Sequence, residues 1–486
     1  MKTTKKIAKK VLIAHIYLAV VVLTGQVFAQ TGAWTPTGSM SGPRRDHTAT
    51  LLLDGKVLIN RGTGGGAELY DSLTGTFSPT GPSLGGGFGQ GSTATRLQDG
   101  RVLIVGGSPA EIYNPPTGTF SPAGNLNVAR VAHTATLLGN GKVLIVGGLD
   151  LGGQQHIAAA ELYDPVANTF TLAGFLNAGR FSHSATLLQD GRALIAGGEQ
   201  ITSPGFAISL SSAELYDPAT GAFSPTGNLT QPRGGLSFTQ APLLNNGKVL
   251  IVGGETIQAA EIFDPATGAF SPTGSMSIAR SALSATVLSN GQVLVAGGVI
   301  TLPGGGPGTT NVVEIYDPVS GAFSPVASMI QARQQHTATL LPNGQVLVTG
   351  GFDFGALSDL SSAELFSPPA ASVLTVAIDI KPGSFLNSIN PRSRGKIPVA
   401  ILTTDAFDAT SVDPNTVRFG RNGTEASPVQ SALEDVDGDG DIDMILHFNT
   451  QDTGIQRGDT SASLTGKSFG GQAIGGSDSV NTVGCR

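Results

Sequence analysis

"HTATLLGNGKVLIVGG", residues His133–Gly148, contains two apolar runs joined by an Asn-Gly turn and ends in a double glycine. Asn-Gly between two such runs is a strong signal for a β-hairpin. Two apolar runs joined by a tight turn occur seven times, and six of the seven copies end in Gly-Gly; the second run starts at Val57, Val102, Val143, Ala193, Val249, Val293 and Val346. Repetition at this spacing predicts an array of equivalent supersecondary units.

A second motif, Glu followed by Leu or Ile and then Tyr or Phe, comes after each run, and consecutive copies lie 43 to 53 residues apart. Its glutamates are Glu68, Glu111, Glu161, Glu214, Glu261, Glu314 and Glu364. Each unit reads as four short strands separated by turns rich in Gly and Pro. Four-stranded units of about 40 to 50 residues are typical of β-propeller blades.

The seventh unit ends before its fourth strand. The aromatic residue of that strand is present in six units, at Phe77, Phe120, Phe170, Phe223, Phe270 and Phe323. The segment WTPTGSM, Trp34–Met40, has the same pattern and precedes the first complete unit. We predict that it forms the outer strand of the last blade, because closing the ring removes an open sheet edge. The sequence therefore predicts an all-β fold with a seven-bladed propeller over residues 30–370.

The repeat resembles the kelch repeat, which has an Arg before the first strand, Gly-Gly after the second, a Tyr in the third and a large aromatic residue in the fourth. The resemblance covers about residues 33–367 and implies a propeller like the central domain of galactose oxidase. The kelch family includes copper oxidases, sialic-acid mutarotases and binding modules. Function must therefore be argued from individual residues rather than from the fold.

The resemblance implies that a copper oxidase of this kind needs a tyrosine cross-linked to a cysteine, with further Tyr and His ligands. The single cysteine is Cys485, near the end of the chain, and five of the six tyrosines are the repeat tyrosine of the third strand. We therefore expect no copper. Four histidines share one repeat position, which favours a structural role for them: His47, His133, His183 and His336.

The longest connections are expected on one face of the ring, because antiparallel strands place the link between second and third strands opposite the tight turns. They comprise residues 149–160, 199–212, 299–312 and 352–362, and variable loops on a rigid scaffold are common binding sites. Repeat arginines precede the first strands on this face, and guanidinium suits contact with carboxylates. Together with Arg61 they are the candidate ligand-binding residues: Arg44, Arg61, Arg130, Arg180, Arg233, Arg280 and Arg333.

A structural role for the arginines is the alternative. Each one could pair with a repeat glutamate such as Glu68 or Glu111 and so fasten the blades together. Arg61 differs from the others because it replaces a repeat glycine, and the repeat pattern gives it no structural role.

The first 29 residues have the pattern of a signal peptide. Five lysines precede an apolar segment from Val11 to Leu23, and cleavage is expected after Ala29. A membrane anchor is the alternative, although the apolar run is short for a bilayer of about 30 Å. We expect a secreted or cell-surface protein, with the periplasm as a third location, and no transmembrane segment after cleavage.

The composition argues against nucleic acid as a partner. Without the five leading lysines the chain has 23 basic and 35 acidic residues, a formal net charge of −12, whereas nucleic-acid-binding proteins carry basic patches. A single cysteine allows no internal disulfide. We expect a monomer that depends on packing and ring closure.

A second domain is expected over residues 371–486. Apolar segments at 374–380, 396–403, 416–420 and 443–448 suggest a small β-sandwich. The phrases IDIKPGSFLNSINPRSRGKIPVAILTT and ALEDVDGDGDIDMILHF resemble a C-terminal module found on exported bacterial proteins. This resemblance adds a location rather than an activity.

The segment DVDGDGDID has carboxylates at every second residue, at Asp435, Asp437, Asp439, Asp441 and Asp443. Oxygen ligands at this spacing in a tight loop suit Ca²⁺, with Asp441 contributing its carbonyl. The loop is not a complete EF-hand, because position 12 is Leu446 rather than Glu; Glu434 or Asp452 could complete the shell. We expect a structural Ca²⁺, with a solvated acidic turn as the alternative.

Together these features favour an exported, non-enzymatic protein that presents its loop-rich propeller face to a protein or glycan ligand. One alternative is a mutarotase-like enzyme acting on sugars, with Arg61 and either Glu199 or Asp353 as its candidate residues. The other is a purely structural surface protein without a saturable ligand.

Overall fold

The computed structural model describes residues 32–64, 66–85, 91–106, 109–152, 155–203, 205–234, 241–254, 257–369, 373–384, 386–404, 407–469 and 472–484. The signal-peptide segment 1–29, Cys485 and the domain boundary at residues 370 and 371 lie outside these residues, so the expectations for them stay predictions. Within the described part, the helical segments are two short 3-10 turns, Ala409–Ser411 and Thr450–Thr453. No helix there has the length and apolar character needed to cross a membrane.

The repeat forms seven sheets, which we number as blades 1 to 7. The strands of blades 1 to 3, from inner to outer, are β2 (Thr48–Leu51), β3 (Val57–Asn60), β4 (Glu68–Asp71) and β5 (Thr76–Pro79); β6 (Thr93–Arg96), β7 (Val102–Val105), β8 (Glu111–Asn114) and β9 (Thr119–Pro122); β10 (Thr134–Leu137), β11 (Val143–Val146), β12 (Ala159–Asp164) and β13 (Thr169–Phe175).

Blades 4 to 6 follow the same order, with blade 5 showing three strands in the described part of the chain. Their strands are β14 (Ser184–Leu187), β15 (Ala193–Ala196), β18 (Ala213–Asp217) and β19 (Ala222–Pro225); β20 (Val249–Ile251), β21 (Ala259–Asp264) and β22 (Ala269–Ser275); β23 (Ser284–Val287), β24 (Val293–Ala296), β27 (Val313–Asp317) and β28 (Ala322–Pro325).

Blade 7 joins the two ends of the propeller. It is built from β29 (Thr337–Leu340), β30 (Val346–Thr349), β33 (Ala363–Ser367) and β1 (Ala33–Pro36). Trp34 of β1 lies opposite Phe366 of β33, with ring centroids 5.1 Å apart, and its indole N–H donates to the Ala327 carbonyl at 2.8 Å. The prediction that the N-terminal strand closes the last blade is confirmed.

The repeated apolar run is buried on both faces because it forms the second strand of a blade packed between two others. In β11, Val143 and Ile145 pack with residues of blade 2, whereas Leu144 and Val146 pack with residues of blade 4. All four are at most 1 % exposed. A strand buried on both faces needs a continuous apolar run rather than an alternating pattern, and this explains the sequence VLIV.

The C-terminal region contains two four-stranded sheets around a shared apolar cluster, which agrees with the predicted β-sandwich. One sheet has the order β34 (Leu374–Thr375), β42 (Ala473–Ser479), β41 (Ser461–Ser468), β38 (Val412–Gly420), and the other β35 (Ile378–Ile380), β37 (Lys396–Ile401), β40 (Asp443–Asn449), β39 (Gln430–Glu434). A further pair joins β36 (Ser388–Ile389) and β43 (Asn481–Thr482).

The segment 374–380, expected as one strand, is divided between the two sheets. β34 pairs in parallel with β42, and β35 pairs antiparallel with β37. Buried Val376 lies between the two short strands and belongs to the shared cluster. The chain therefore changes sheets within one apolar run.

Candidate functional site

The candidate arginines lie inside the blades. Their exposed fractions are 0 to 5 %, and each guanidinium is 2.5 to 3.0 Å from a repeat glutamate oxygen. The pairs are Arg44–Glu68, Arg61–Glu111, Arg130–Glu161, Arg180–Glu214, Arg233–Glu261, Arg280–Glu314 and Arg333–Glu364. This burial and pairing favour the structural alternative over direct contact with a ligand.

Each arginine also binds backbone carbonyls, as blade 3 shows. Arg130 Nη1 donates to the carbonyls of Gly147 at 3.0 Å and Ala159 at 2.7 Å, at the link between the second and third strands. Glu161 accepts from the N–H groups of Asn127 and Val128 as well. Burial lowers the pKa of Arg130, and the charge of Glu161 partly opposes this effect. The ion pair therefore fastens the start of the blade to its third strand.

Arg61 has a structural role that the repeat pattern did not reveal. It follows the second strand of blade 1 but pairs with Glu111 of blade 2 at 2.9 Å, and it also donates to the carbonyl of Gly106. Blade 2 has Gly89 at its own arginine position, so Arg61 supplies the missing guanidinium from the neighbouring blade. A Cβ at Gly85 would lie 2.5 Å from Arg61 Nη2, and a glycine there leaves room for it.

The double glycine makes room for the following blade. A Cβ on Gly147 of blade 3 would lie 2.8 Å from His183 Cε1 of blade 4, and the Gly148 N–H donates to the Arg180 carbonyl at 2.8 Å. Arg61 occupies the first glycine position of blade 1 with a φ of 63°. Blade 2 has the small Ser92 where blade 4 has His183. The arginine and the serine are thus compatible replacements at one blade boundary.

The repeat histidines connect adjacent blades. Their Nε2 atoms lie 2.8 to 2.9 Å from hydroxyl oxygens of the preceding blade: His47 with Thr349, His133 with Thr93, His183 with Thr134, and His336 with Ser284. Burial, followed by the charge of nearby arginines, lowers the pKa of His47, His133 and His336 to about 3. These neutral, buried contacts support the expected structural role.

Three additional hairpins extend from the link between second and third strands, in blades 4, 6 and 7. They are β16–β17 (Glu199–Ser203 and Phe206–Ser209), β25–β26 (Val299–Thr301 and Pro307–Thr309) and β31–β32 (Phe352–Asp353 and Ser358–Asp359). We call the surface formed by these hairpins and the equivalent links of the other blades the hairpin face. The expected long loops are therefore partly regular β-structure.

Contacts between blades show that these links share one side of the ring. Thr309 of blade 6 donates to Asp353 of blade 7 at 2.8 Å, and Gln200 of blade 4 lies 3.3 Å from His156 of blade 3. Asp359 of blade 7 accepts from Thr63 of blade 1 at 2.5 Å. A belt of side-chain contacts thus stiffens the hairpin face.

The residues suggested for a sugar-directed enzyme are distributed over different blades. Arg61 is buried against Glu111, Glu199 begins the hairpin of blade 4, and Asp353 accepts from Thr309 in blade 7. The structure does not bring Arg61 together with either acidic residue.

A cavity of about 750 Å³ follows the axis of the ring. It is lined by the inner strands of the blades and by the residues just before them, including the four repeat histidines. Asp46, immediately before His47, also lines it. Sequence reasoning did not select Asp46, because the equivalent position carries unrelated residues in the other blades.

The acidic loop between β39 and β40 brings together three of the five predicted metal ligands. Carboxylate oxygens of Asp435, Asp437 and Asp443 lie within 4.8 Å of one another. Asp443 is fully buried, and its two oxygens accept from the N–H groups of Thr403 at 2.7 Å and Val436 at 3.0 Å. The buried carboxylate therefore fixes the base of the loop.

The remaining acidic residues stand apart from this group. Asp439 accepts from the backbone N–H of Asp441 at 2.9 Å, and neither belongs to the group of three. Desolvation, and then the charges of Asp439 and Asp443, raise the pKa of Asp437. Three converging hard oxygen donors fit Ca²⁺, which prefers carboxylate and carbonyl ligands.

Comparison with known proteins supports the fold. Residues 280–330 match the family model described as Kelch motif. A solved structure of a novel fungal alcohol oxidase, with catalytic diversity among the AA5 family and in complex with copper, is similar at a TM-score of 0.57 and 18 % identity, covering 93 % of this chain and 100 % of that chain. At this identity the likeness concerns the fold alone.

The solved structure of YjhT is similar at a TM-score of 0.45 and 13 % identity, covering 67 % of this chain and 95 % of that chain. No curated protein matches the sequence.

Proposed function

We propose, from the premise that the chain is a kelch-repeat β-propeller protein, that it is an exported, non-enzymatic binding protein. In this proposal the hairpin face binds a protein or glycan ligand, and Ca²⁺ stabilises the C-terminal β-sandwich.

The observation that carries this proposal is the contrast between the repeat residues and the hairpins. The repeat arginines and glutamates are buried and paired with one another. The hairpins interrupt only some of the blades and leave apolar side chains in solvent: Phe206 is 70 % exposed, Leu302 43 % and Leu357 77 %. Exposed apolar and aromatic side chains on a rigid frame can anchor a ligand.

The rigidity of this face supports binding rather than a flexible linker role. Arg45 of blade 1 lies 3.3 Å from Asp359 of blade 7, and its guanidinium carbon lies 4.7 Å from the centre of the Phe352 ring. Such contacts reduce the entropy that the loops would lose when a ligand binds.

In the C-terminal β-sandwich, Asp435, Asp437 and Asp443 would hold the ion, with Asp439 and the Asp441 carbonyl as further ligands. Bound Ca²⁺ supplies positive charge that offsets repulsion between the carboxylates. Because Asp443 also holds Thr403 and Val436, binding would stabilise the adjoining strands, which is a structural rather than a catalytic role.

The test compares two surface variants of the full chain. Phe206→Ser, Leu302→Ser and Leu357→Asn together remove the apolar tips of the hairpin face. The matched control removes three strongly exposed apolar residues from the tight turns on the opposite face: Leu73→Ser, Val166→Ser and Val319→Ser. An array of defined glycans and a displayed random-peptide library serve as probes.

We expect saturable binding of at least one probe, with affinity lowered about tenfold or more in the hairpin variant and unchanged in the control. Equal loss in both variants would show that exposed apolar surface, not this face, is responsible. Absence of any saturable probe would contradict the proposal and favour the structural alternative.

A further inference from the structure

The cavity along the propeller axis has a belt of alanine side chains flanked by threonine and serine residues. The middle of each described inner strand contributes an alanine to its wall: Ala49, Ala94, Ala135, Ala185, Ala285 and Ala338. Farther along the strands the wall contains Leu137, Leu187, Val287 and Leu340. The volume of about 750 Å³ falls in the range of small-molecule pockets, about 300 to 1,000 Å³.

Asp46 lies at the mouth of this cavity on the hairpin face. Its backbone repeats a feature of the other blades, because the equivalent residues Ala132, Ser182, Ala282 and Gln335 also have φ near 50°. The N–H groups of Ala132, Ser182 and Gln335 donate to the equivalent carbonyl of the preceding blade, and that of Asp46 donates to Gln335 at 3.2 Å. The backbone geometry is therefore common to the ring, whereas the carboxyl group is particular to Asp46.

The carboxyl group of Asp46 is buried without a complete set of partners. Asp46 is 7 % exposed, and its Oδ1 atom has no hydrogen-bond partner. The adjacent Arg45 is directed to Asp359 and Phe352, and Arg44 is paired with Glu68. A buried carboxylate without a paired cation destabilises a folded protein.

The charges around Asp46 make it the charged group of the cavity wall. Burial raises the pKa of Asp46 to about 6; Arg45 opposes the effect and Asp359 adds to it. The histidines that line the cavity are neutral near pH 7, since their pKa values are strongly lowered. Among the described lining residues, Asp46 is the single side chain that carries charge at neutral pH.

We infer that Asp46 anchors a binding site for a primary ammonium group attached to a short apolar chain. The ammonium group would donate to the Asp46 carboxylate at the mouth, and the alkyl chain would lie against the alanine belt. Burial of the alkyl chain and a charge-assisted hydrogen bond then act together.

The polarity of the channel sets the direction of entry. Arg96 ends the inner strand of blade 2, at the end opposite Asp46, where its guanidinium donates to the Leu51 carbonyl at 2.7 Å. Because Asp46 lines the cavity and Arg96 does not, a cation would enter from the Asp46 end.

This chemistry occurs both in a free alkylamine and in a lysine side chain of a protein ligand. A free amine would occupy the site independently of the proposed function. Binding of a lysine would depend on the proposed function, because the protein ligand would lie on the hairpin face while its lysine side chain enters the channel.

The experiment is calorimetric titration of the full chain at about pH 8 with n-butylammonium, n-butanol and a lysine-containing peptide. Asp46→Asn and Asp46→Ser are compared with Ser182→Ala, the matched change at the equivalent position of blade 4. Asp46→Ser keeps a residue type that blade 4 already holds there, so it covers the case in which the Asn variant does not fold.

We expect saturable binding of n-butylammonium and none of n-butanol. Both Asp46 variants should lower the affinity about tenfold or more, and Ser182→Ala should leave it unchanged. The affinity should also fall about tenfold between pH 7 and pH 5, as the carboxylate becomes protonated. Tighter binding of the peptide than of n-butylammonium would identify the lysine source, and that gain should disappear in the hairpin variant described above.

Two results would overturn the inference. Equal binding of n-butanol and n-butylammonium would show that the cavity does not recognise charge. Absence of n-butylammonium binding to the unmodified chain would show that Asp46 is a buried carboxyl group without a ligand, even if its replacement raises Tm.

Discussion

The buried ion pairs of the propeller and the acidic loop of the C-terminal region use the same residue types for different purposes. In blade 3, Glu161 is fully buried and receives Arg130 together with backbone N–H groups. In the loop, Asp435 and Asp437 are exposed and converge on a third carboxylate without a basic partner in their group. Whether an acidic group finds its counter-charge within the chain therefore separates structural residues from candidate ligand-binding residues.

The largest expected effect is a loss of stability when a buried ion pair of the propeller is broken. Arg130→Ala leaves Glu161 buried without its cation, and loss of one partner of a buried pair costs about 3 to 5 kcal/mol. Urea unfolding should show this decrease. The matched control is Lys142→Ala, which removes the exposed pair of Lys142 with Asp164 in the same blade; it should change stability little. A similar loss in both variants would contradict the assigned role of the buried pairs.

A smaller decrease in the free energy of unfolding is expected for Arg61→Gly. Glu111 again loses its cation, but the change also removes a non-glycine residue with a φ of 63°, and relief of that strain returns about 1 kcal/mol. The free energy of unfolding should therefore decrease less than in Arg130→Ala.

The double variant Arg61→Gly with Gly89→Arg tests the exchange between blades. It returns the arginine to the position used by the other blades. The free energy of unfolding should then recover most of the decrease seen in Arg61→Gly. If the double variant is no more stable than Arg61→Gly, Arg61 is not a replacement for the missing arginine of blade 2.

The smallest expected effect at neutral pH concerns the repeat histidines, which are largely neutral there in both the folded and the unfolded chain. His47 has a folded-state pKa of about 3, below its ordinary value of 6.5, so the unfolded chain binds a proton that the folded chain does not. Stability is lost as pH falls from about 6.5 towards 3, by about 1.4 kcal/mol per pH unit for one such histidine. His47→Ser should reduce this slope in denaturant titrations across the pH range. An unchanged slope would show that His47 is not the group being protonated.

Much of the fold could be predicted because it depends on patterns repeated along the chain. The seven apolar runs and their glutamates define equivalent blades, and the Trp34 segment matches the missing outer strand. Strands β41 and β42 were not predicted, since Ser461–Ser468 and Ala473–Ser479 are rich in small and polar residues. Their pairing in the sandwich, rather than their apolar content, makes them strands.

The roles of Arg61 and Asp46 were harder to predict because they depend on residues that are distant in sequence. Arg61 and Glu111 are 50 residues apart and lie in different blades, so the repeat pattern alone could not join them. Asp46 became a candidate only when its burial and position at the cavity mouth were known. The Asp435–Asp443 segment could be selected as a candidate metal site because its carboxylates are close together in sequence.

The most direct test of the distinction between paired and unpaired charge is the metal content of the full chain without its first 29 residues, measured by elemental mass spectrometry. The account predicts about one Ca²⁺ per chain, lost in Asp435→Ala with Asp437→Ala and retained in Arg130→Ala at a temperature where that variant is folded. Absence of Ca²⁺ at millimolar supply, or stoichiometric copper or zinc that survives the two Asp substitutions, would contradict it.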